Sequence, residues 1–379
     1  MIVSVLREQV TGEHRVALVP DGVRALSGDD IEIRVESGAG EASGHPDAAY
    51  EKVGAKICAD AAAACAGADL VLKVQPPGAA ELGSIPASAT LVATMRPLDD
   101  VEGVRRTAAH GLTVFALELI PRITRAQSMD VLSSQATVAG YQAVLLSAEL
   151  LPKMFPMLVT AAGTISPARV FIIGAGVAGL QAIATARRLG AVVEAYDTRP
   201  AVAEQVESLG ARFVEVEFDA GDAEDAGGYA KEQSEEFYQK QREVMAQRAA
   251  ASDIVITTAL VPGRPAPLLL TEDAVKGMKP GSVVIDLAAA NGGNCACTEP
   301  NQTIKAHGVT LVGDTNLPSH LPADASLMFS KNVVTLLKHL ITDGTLAVDL
   351  EDEITRGTLL AQGGKVVHEM VRSRIEGDS

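Results

Sequence analysis

The feature that most constrains the fold is a glycine-rich loop that follows a short apolar run. Val170–Ile173 is β-branched and aromatic, and Gly174, Gly176 and Gly179 follow it in G-x-G-x-x-G spacing. Leu180–Leu189 then has the pattern of a helix. A strand that turns through such glycines into a helix is typical of the phosphate-binding turn in a dinucleotide-binding βαβ unit.

The glycines and a downstream acid each have a separate physical role in this interpretation. Gly174 permits the tight turn, Gly176 lets the backbone approach a pyrophosphate, and Gly179 allows the helix to pack closely on the strand. A second predicted strand, Val192–Tyr196, is followed by Asp197, at the expected offset of about 20 residues. This acid can accept both ribose hydroxyls and would repel a 2′-phosphate, which favours NAD over NADP.

Two alternatives remain open for this segment. The glycines could form a purely structural turn, although the flanking strands, helix and acid favour binding. Arg199, two residues after the acid, could favour NADP, but we expect it to stack near the adenine or to be solvated. The predicted cofactor-binding residues here and after the later strand at 254–258 are Gly174, Gly176, Val177, Ala178, Gly179, Asp197, Thr198, Arg199, Thr258, Ala259 and Leu260.

Strand and helix patterns alternate along most of the chain, which predicts parallel sheets with helices on both faces. One series of predicted strands comprises Ile2–Leu6, Glu32–Glu36, Leu70–Val74, Thr90–Thr94 and Thr113–Leu117. The second series comprises Arg169–Ile173, Val192–Tyr196, Arg212–Val216, Ile254–Thr258, Ser282–Leu287 and Thr310–Val312. So many strands favour two sheets over one. The predicted fold is therefore α/β, with two doubly wound, Rossmann-like domains separated by a cleft.

The domain boundaries follow from two long helical patterns. Ser134–Leu151 is predicted to link the domains, and Ser326–Leu340 to return the chain to the first of them. The first domain is then discontinuous, with residues 1–133 and 322–379, and residues 134–321 form the dinucleotide-binding domain.

An insertion between the strands ending at Val216 and beginning at Ile254 does not fit a simple βα unit. It is acidic and glycine-rich from Asp219 to Gly228 and then reaches Tyr229. We expect a mobile loop near 219–232, because long insertions in α/β domains often act as lids. Alternatively, the insertion is a surface loop that the fold merely tolerates, and Tyr229 is an aromatic residue on its surface.

Charge and cysteine content exclude several classes of protein. The formal net charge of −16 argues against nucleic acid and anionic membrane surfaces as partners. No signal peptide is evident at the N-terminus, and the most apolar stretch, Phe155–Val177, is interrupted by proline, glycine and arginine, so we expect a cytoplasmic chain without a membrane span. Cys295 and Cys297 lack the further ligands of a metal site, so we predict no metal.

Further segments carry a resemblance to a known family over nearly the whole chain. They are Glu13–Leu18, Pro121–Asp130, Thr160–Thr164, the glycine loop, Gly227–Lys231, Gly292–Asn294 and Thr315–Ser319. With them, the chain resembles domain I, the NAD(H)-binding component, of the proton-translocating nicotinamide nucleotide transhydrogenases. Pro121–Asp130 and Gly227–Lys231 look specific to that family, and the other segments are shared with its sister family, the alanine dehydrogenases.

The resemblance implies an activity and a set of catalytic residues. Arg122, Gln127, Asp130 and Ser133 would face the nicotinamide, with Gln127 holding the nicotinamide or ribose of the second dinucleotide. Tyr229 would close over bound NAD(H). The implied reaction is Re/Si-specific NAD(P) transhydrogenation, in which a hydride passes directly from NADH to NADP⁺.

The resemblance also implies partners and a location. A partner subunit would bind NADP(H), a separate membrane subunit would translocate protons, and this chain would form a homodimer. It would be cytoplasmic and peripheral to the inner membrane through those partners, as the portion of a split α subunit that carries domain I.

Chemistry favours transhydrogenation over the two alternatives. Amino-acid oxidation needs a general acid–base, usually His, whereas hydride exchange between nicotinamides needs only orientation. The stretch where alanine dehydrogenases carry their His, residues 92–96, has none, and Ala290 stands in place of their Asp. Arg15 and Lys73 could bind a substrate carboxylate, but we interpret them as scaffold or polar contacts.

The other alternative is a non-catalytic NAD(H) sensor, against which the Gln127 segment argues. Gln127 could also be a polar residue at a helix start. The scattered histidines are expected to be structural, with His14 worth attention beside Arg15.

Overall fold

The computed structural model describes residues 1–28, 30–216 and 235–377. The predicted mobile loop at 219–232, with Tyr229, lies outside the described residues. The chain divides into two compact units. Unit 1 comprises Met1–Gln135 together with the segment from Pro318 onward, and unit 2 comprises Ala136–Leu317.

The described strands are numbered here in chain order. They are β1 (Ile2–Val5), β2 (Glu32–Glu36), β3 (Lys56–Cys58), β4 (Leu70–Leu72), β5 (Thr90–Ala93), β6 (Thr113–Ala116), β7 (Leu158–Thr160), β8 (Gly163–Ile165), β9 (Arg169–Ile173) and β10 (Val192–Tyr196). The later ones are β11 (Arg212–Phe213), β12 (Ile254–Thr257), β13 (Val283–Asp286), β14 (Thr303–Ala306), β15 (Val309–Val312), β16 (Ile341–Thr342), β17 (Thr345–Leu346), β18 (Leu359–Gln362) and β19 (Lys365–Val366).

The described helices are numbered in the same way. They are α1 (Pro20–Leu26), α2 (Asp47–Glu51), α3 (Ala61–Cys65), α4 (Ala79–Leu82), α5 (Val101–Ala109), α6 (Val131–Leu150), α7 (Val177–Arg188), α8 (Ala203–Ser208), α9 (Glu235–Ala251), α10 (Glu272–Lys276), α11 (Pro322–Leu340), α12 (Glu353–Thr358) and α13 (Glu369–Gly377). Short 3₁₀ turns occur at Glu41–Ser43, Leu117–Leu119, Thr124–Met129, Pro200–Val202, Ala289–Asn291 and Leu317–His320.

Unit 1 is built on an eight-stranded sheet in the order β3-β2-β1-β4-β5-β6-β18-β19. Strands β1 to β6 are parallel. Strand β18 pairs with β6 in the antiparallel sense, and β19 pairs with β18 in the antiparallel sense at the edge of the sheet. Neighbouring residues of β5 face opposite cores, with Leu91 in one and Val92 in the other. Because both faces of the sheet are covered, the central strands β4, β5 and β6 are almost wholly apolar.

Unit 2 repeats the same winding in a seven-stranded sheet, ordered β11-β10-β9-β12-β13-β15-β14. Only β14 in this sheet is antiparallel among the described strands. The order reverses direction between β9 and β12, and the glycine loop follows β9 at that reversal. Ligands of doubly wound sheets bind outside the carboxyl ends of the strands at such a point.

The predicted fold class is confirmed, and the predicted strands β9 and β10 begin and end at the expected residues. The predicted strand at 212–216 is shorter, because only Arg212–Phe213 pairs with β10. The sequence pattern does not predict strands β3, β7, β8, β14, β16, β17, β18 and β19. Each of them has only two to four residues, too few for a clear apolar periodicity.

The helices that cross or follow the predicted boundaries start earlier than the sequence pattern indicates. Helix α6 begins at Val131 and helix α11 begins at Pro322. The sequence pattern places both starts too late, because polar residues in the first turns interrupt the apolar periodicity. None of the helices in the described ranges combines the length and the apolar character needed to cross a membrane.

Candidate functional site

The glycine loop of unit 2 has the backbone that its sequence predicts. Gly174 has φ +100°, and its N–H donates to the carbonyl oxygen of Tyr196 at 2.8 Å. A Cβ at Gly174 would collide with Thr258 Oγ1, and one at Gly179 would collide with the Gly174 carbonyl oxygen. The loop therefore excludes side chains at both positions.

Open space lies in front of the helix that follows the loop. A Cβ at Gly176 would meet no heavy atom within 4 Å, and Gly176 is the N-cap of α7 without a side-chain cap. The first N–H groups of α7, including those of Val177 and Ala178, thus lack a capping side chain. Such an N-terminus favours an anion, so a pyrophosphate fits the residues present.

Helix α6 packs closely against the start of α7. Gly140 of α6 lies so close to Ala178 that a Cβ would collide with the Ala178 carbonyl oxygen. Sequence reasoning missed this contact, although a glycine within a long helical pattern was the available signal.

Asp197 occupies the end of β10 beside the loop. Its Oδ2 accepts from the N–H of Ala175 at 2.7 Å, and its Oδ1 accepts from the N–H of Arg199 at 2.9 Å. The Arg199 guanidinium also donates to both oxygens, through Nε at 2.9 Å and Nη2 at 3.0 Å. The two side chains are only 7% and 20% exposed, so Arg199 is paired with Asp197 and is not a solvated arginine. Thr198 lies between them at the end of the strand.

Residues 258–260, which follow β12, lie beside the glycine loop. Thr258 Oγ1 donates to the Gly174 carbonyl oxygen at 3.1 Å, which ties this segment to the glycine turn. Ala259 is held at both its N–H and its carbonyl by the side chain of Asn294. Leu260 follows and is 42% exposed.

Asn294 is a positioning residue that sequence reasoning did not assign. Its side-chain amide receives the Ala259 N–H at 3.0 Å and donates to the carbonyl oxygens of Ala259 at 2.9 Å and Pro267 at 2.8 Å. The residue is fully buried. All three bonds serve the backbone near the glycine loop, so Asn294 fixes the wall that Thr258 and Ala259 form.

In unit 1, the structure brings all four predicted catalytic residues together. A cavity of about 360 Å³ is lined by Pro121, Arg122, Ile123, Ala126, Gln127, Asp130 and Ser133. The 3₁₀ turn at Thr124–Met129 carries Gln127 to the rim, where its side chain is exposed.

Asp130 caps the long helix that follows this turn. Its Oδ1 accepts from the N–H of Ser133 at 2.9 Å and its Oδ2 from the Ser133 hydroxyl at 2.5 Å. This is the contact expected of an N-cap residue. Gln127 makes no side-chain hydrogen bond within the described residues, so the capping role falls to Asp130.

The two cations considered for a substrate carboxylate are already paired. Arg15 binds Glu13 through Nε at 2.8 Å and Nη2 at 2.6 Å, and it also donates to Gln135 at 2.8 Å. Burial alone would raise the pKa of Glu13, but the hydrogen bonds and charge of Arg15 lower it to about 2. Glu13 is therefore ionised throughout the physiological range.

Lys73 is likewise held by carboxylates. Its Nζ lies 2.7 Å from Glu81 and 3.2 Å from Glu8, and its side chain is 1% exposed. Burial would lower the pKa of Lys73, but the two carboxylates raise it above its ordinary value. Lys73 is thus a buried, charged residue whose charge is balanced by Glu8 and Glu81.

No cluster of histidine, cysteine or carboxylate side chains that could hold a metal is found among the residues that the structure describes. His14 is exposed and contacts Ser319, with its backbone N–H donating to the Ser319 hydroxyl at 2.6 Å. Cys295 is buried and Cys297 partly buried, and both are free thiols.

Two family models match the chain in succession. Residues 4–139 match the alanine dehydrogenase/PNT N-terminal domain, and residues 143–369 match the alanine dehydrogenase/PNT C-terminal domain.

Individual relatives discriminate between the two branches of that family. The chain is 49% identical over 376 residues to the first portion of NAD(P) transhydrogenase subunit alpha from Rhodospirillum rubrum, covering 97% of this chain and 98% of that protein. A solved transhydrogenase structure from Sinorhizobium meliloti is 44% identical, with a TM-score of 0.85 and coverage of 98% of this chain and 100% of that one. Alanine dehydrogenase of Bacillus subtilis is 29% identical, over 98% of this chain and 94% of that protein.

Proposed function

This chain belongs to the alanine dehydrogenase/PNT family, and within it we propose that the chain is the NAD(H)-binding subunit of a proton-translocating transhydrogenase. It binds NADH at the glycine loop, and bound NADH supplies the hydride that passes to NADP⁺ held by a partner subunit. The proposed NAD(H)-binding domain comprises residues 134–321, and residues 1–133 with 322–379 form the other domain.

The glycine loop and Asp197 support NAD(H) as the nucleotide. The open space before α7 accepts the pyrophosphate, and the Asp197 carboxylate accepts the ribose hydroxyls. Its negative charge repels a 2′-phosphate. Val177 and Ala178 at the start of α7, Thr198 after β10 and residues 258–260 after β12 provide the other contacts of the proposed nucleotide site.

The observation that carries the reaction type is the cavity in unit 1. It gathers Arg122, Gln127, Asp130 and Ser133, which offer an amide, charges and a hydroxyl, and no histidine is among its described lining residues. Hydride exchange between two nicotinamides requires orientation at roughly 3–3.5 Å and no general base. We assign Gln127 to hold a nicotinamide, and Arg122 and Asp130 to orient it.

The paired cations argue against an amino-acid substrate. A substrate carboxylate would have to displace Glu13 from Arg15 or Glu81 from Lys73. Displacing Glu13 would leave a fully buried carboxylate without its partner, which is costly, and displacing Glu81 would leave a partly buried one. An alanine-dehydrogenase-like activity is therefore disfavoured.

The partners follow from the proposed reaction. An NADP(H)-binding subunit supplies the second nicotinamide, and a membrane subunit couples the transfer to proton translocation. We propose that this chain is a homodimer that sits at the cytoplasmic face of the inner membrane through those subunits.

A reconstitution assay tests the proposal. The isolated chain is expected to bind NADH, which is measured by the fluorescence of NADH. It is expected to transfer no hydride to NADP⁺. Adding the NADP(H)-binding subunit is expected to start the transfer. Oxidation of alanine by the isolated chain, or failure of the mixture to transfer hydride, would overturn it.

A further inference from the structure

We propose that Asp286 and Asn294 are positioning residues for the nicotinamide half of bound NAD(H). Asp286 fixes the segment that carries Asn294, and Asn294 in turn fixes the backbone of residues 258–260 beside the glycine loop. The inference rests on the proposed binding of NAD(H) at that loop. It adds that the two halves of the dinucleotide depend on different parts of unit 2.

The Asp286 carboxylate, at the end of β13, joins several segments of unit 2. Its Oδ1 accepts from the hydroxyl of Thr257 at 2.9 Å and from the N–H of Ala288 at 3.0 Å. Its Oδ2 accepts from the hydroxyl of Thr298 at 2.7 Å and from the N–H of Cys295 at 3.1 Å. Asp286 is fully buried, and each of its oxygens has two donors. It therefore holds the segments that supply those donors in one place.

The chain passes directly over this carboxylate just before Asn294. Gly293 has φ +78°, and a Cβ there would lie 2.8 Å from Asp286 Oδ2. Glycine is required at this position, both for the backbone conformation and for the close approach. Since the N–H of Cys295 is bound to the same oxygen, both chain neighbours of Asn294 lie against Asp286.

The side-chain amide of Asn294 continues the hydrogen bonding of the sheet past the end of β12. The N–H of Leu287, just after β13, donates to the carbonyl oxygen of Thr257 at 2.9 Å. Two residues beyond Thr257, Asn294 accepts from the N–H of Ala259 at 3.0 Å and donates to its carbonyl oxygen at 2.9 Å. A further bond to the carbonyl oxygen of Pro267 at 2.8 Å holds the amide itself. The buried amide thus pairs with the backbone as a neighbouring strand would.

The topology of the sheet indicates which half of the nucleotide this backbone would meet. A doubly wound sheet of this kind binds one nucleoside on each side of the strand reversal. Asp197, the proposed acceptor of the adenosine ribose hydroxyls, follows β10 on one side, and residues 258–260 follow β12 on the other. The pyrophosphate is expected between them, at the N-terminus of α7. Fixing residues 258–260 should therefore matter for the nicotinamide and its ribose, and little for the adenosine.

The test compares NADH with ADP, which has the same adenosine and two phosphates but lacks the nicotinamide and its ribose. Asn294→Ala removes the three hydrogen bonds to Ala259 and Pro267. We expect the affinity for NADH to fall at least about tenfold and that for ADP to change by less than about twofold. NADH fluorescence and calorimetry measure the two affinities. A merely structural role would lower both together.

A second variant acts one step further from the nucleotide. Thr298→Val removes one donor from Asp286 with little change in volume. We expect the same selective loss of NADH affinity, at about threefold. This variant decides the question if Asn294→Ala fails to fold, which thermal unfolding checks.

Ser252→Ala is the matched control. It removes a buried hydrogen bond at the opposite end of β12, from the Ser252 hydroxyl to the carbonyl oxygen of Arg248 at 2.8 Å. The affinities for NADH and ADP should both stay unchanged in this variant.

The outcomes distinguish this inference from the proposed function. In the deciding variant, equal losses of NADH and ADP affinity, or no loss of NADH affinity, would overturn the inference. A selective loss of NADH affinity in Ser252→Ala would overturn it as well, because the effect would not depend on Asp286 and Asn294. Failure of the unmodified chain to bind NADH would instead overturn the proposed function.

Discussion

Asn332 of α11 donates from Nδ2 to the carbonyl oxygen of Ser128 at 2.8 Å, and so holds the turn that carries Gln127. Its Oδ1 accepts the hydroxyl of Ser134 at 2.7 Å. One side chain thus braces the backbone immediately after Gln127 and the first turn of α6. Gln127, the residue proposed to hold the nicotinamide, therefore lies on a turn that a distant segment of the chain fixes.

Replacing Asn332 with alanine should loosen this turn. We expect hydride transfer in the reconstituted complex to fall severalfold, NADH affinity to stay unchanged, and the free energy of unfolding to drop by about 1–2 kcal/mol. Single-turnover kinetics and NADH titration measure the two functional effects separately.

Ser134→Ala is the matched control, because it removes the bond between Asn332 and Ser134 and leaves the bond from Asn332 to Ser128 in place. Hydride transfer should be largely preserved in that variant. If Ser134→Ala lowers hydride transfer as much as Asn332→Ala does, the bond to Ser128 is not the one that positions the turn.

Shortening Gln127 should separate binding from transfer. Its side chain makes no hydrogen bond within the described residues, and Asp130 provides the cap of α6. Gln127→Asn should leave the fold and NADH affinity unchanged and lower hydride transfer by more than about tenfold, since transfer depends on close orientation. Equal losses of affinity and transfer would mean that Gln127 has a structural role.

A series at Asp130 should separate its capping role from its charge. Asp130→Ala is expected to lower the free energy of unfolding by about 1 kcal/mol. Asp130→Asn retains a capping side chain and should be nearly as stable as the unmodified chain. Urea unfolding measures both. If Asp130→Ala is as stable as the unmodified chain, the bonds to Ser133 do not stabilise α6. If Asp130→Asn is stable but slow in hydride transfer, its charge acts in the reaction.

The elements of the site that the sequence could predict are those fixed by local backbone. Gly174 needs a positive φ, Gly179 meets the backbone five residues before it, and Asp197 ends the adjacent strand. These local requirements determine the spacing of the three residues, so the sequence alone reveals them. Strand β9 could be predicted as well, because Val170–Ile173 is a continuous apolar run that is buried on both faces. Strand β10 is apolar apart from Glu194.

The elements that could not be predicted depend on partners distant in sequence. Asn294 holds Ala259 across 35 positions, and Asn332 holds Ser128 across 204. A buried asparagine has no periodicity of its own, and its role is defined only once the chain has folded. The pairing of Arg199 with Asp197 is local, but the sequence does not reveal which anion the arginine meets.

The last prediction concerns acid stability and follows from the buried pair of Glu13 and Arg15. Burial would raise the pKa of Glu13, yet Arg15 lowers it to about 2 from the ordinary value of 4.5. Because the pKa in the folded state is the lower one, the stabilisation is fully present above about pH 4.5 and is lost as the pH falls towards 2. This one group should account for up to about 3 kcal/mol of the free energy of unfolding lost over that window.

Glu13→Gln isolates that contribution from the other carboxylates of the chain. The variant lacks the titrating group, so its free energy of unfolding should depend less steeply on pH between 4.5 and 2 than that of the unmodified chain. Urea titrations at several pH values across the window measure the two slopes. Parallel curves would mean that Glu13 has the same pKa in both states and that Arg15 contributes nothing to acid stability. At neutral pH the variant should be the less stable of the two, because Arg15 is then left buried without its carboxylate.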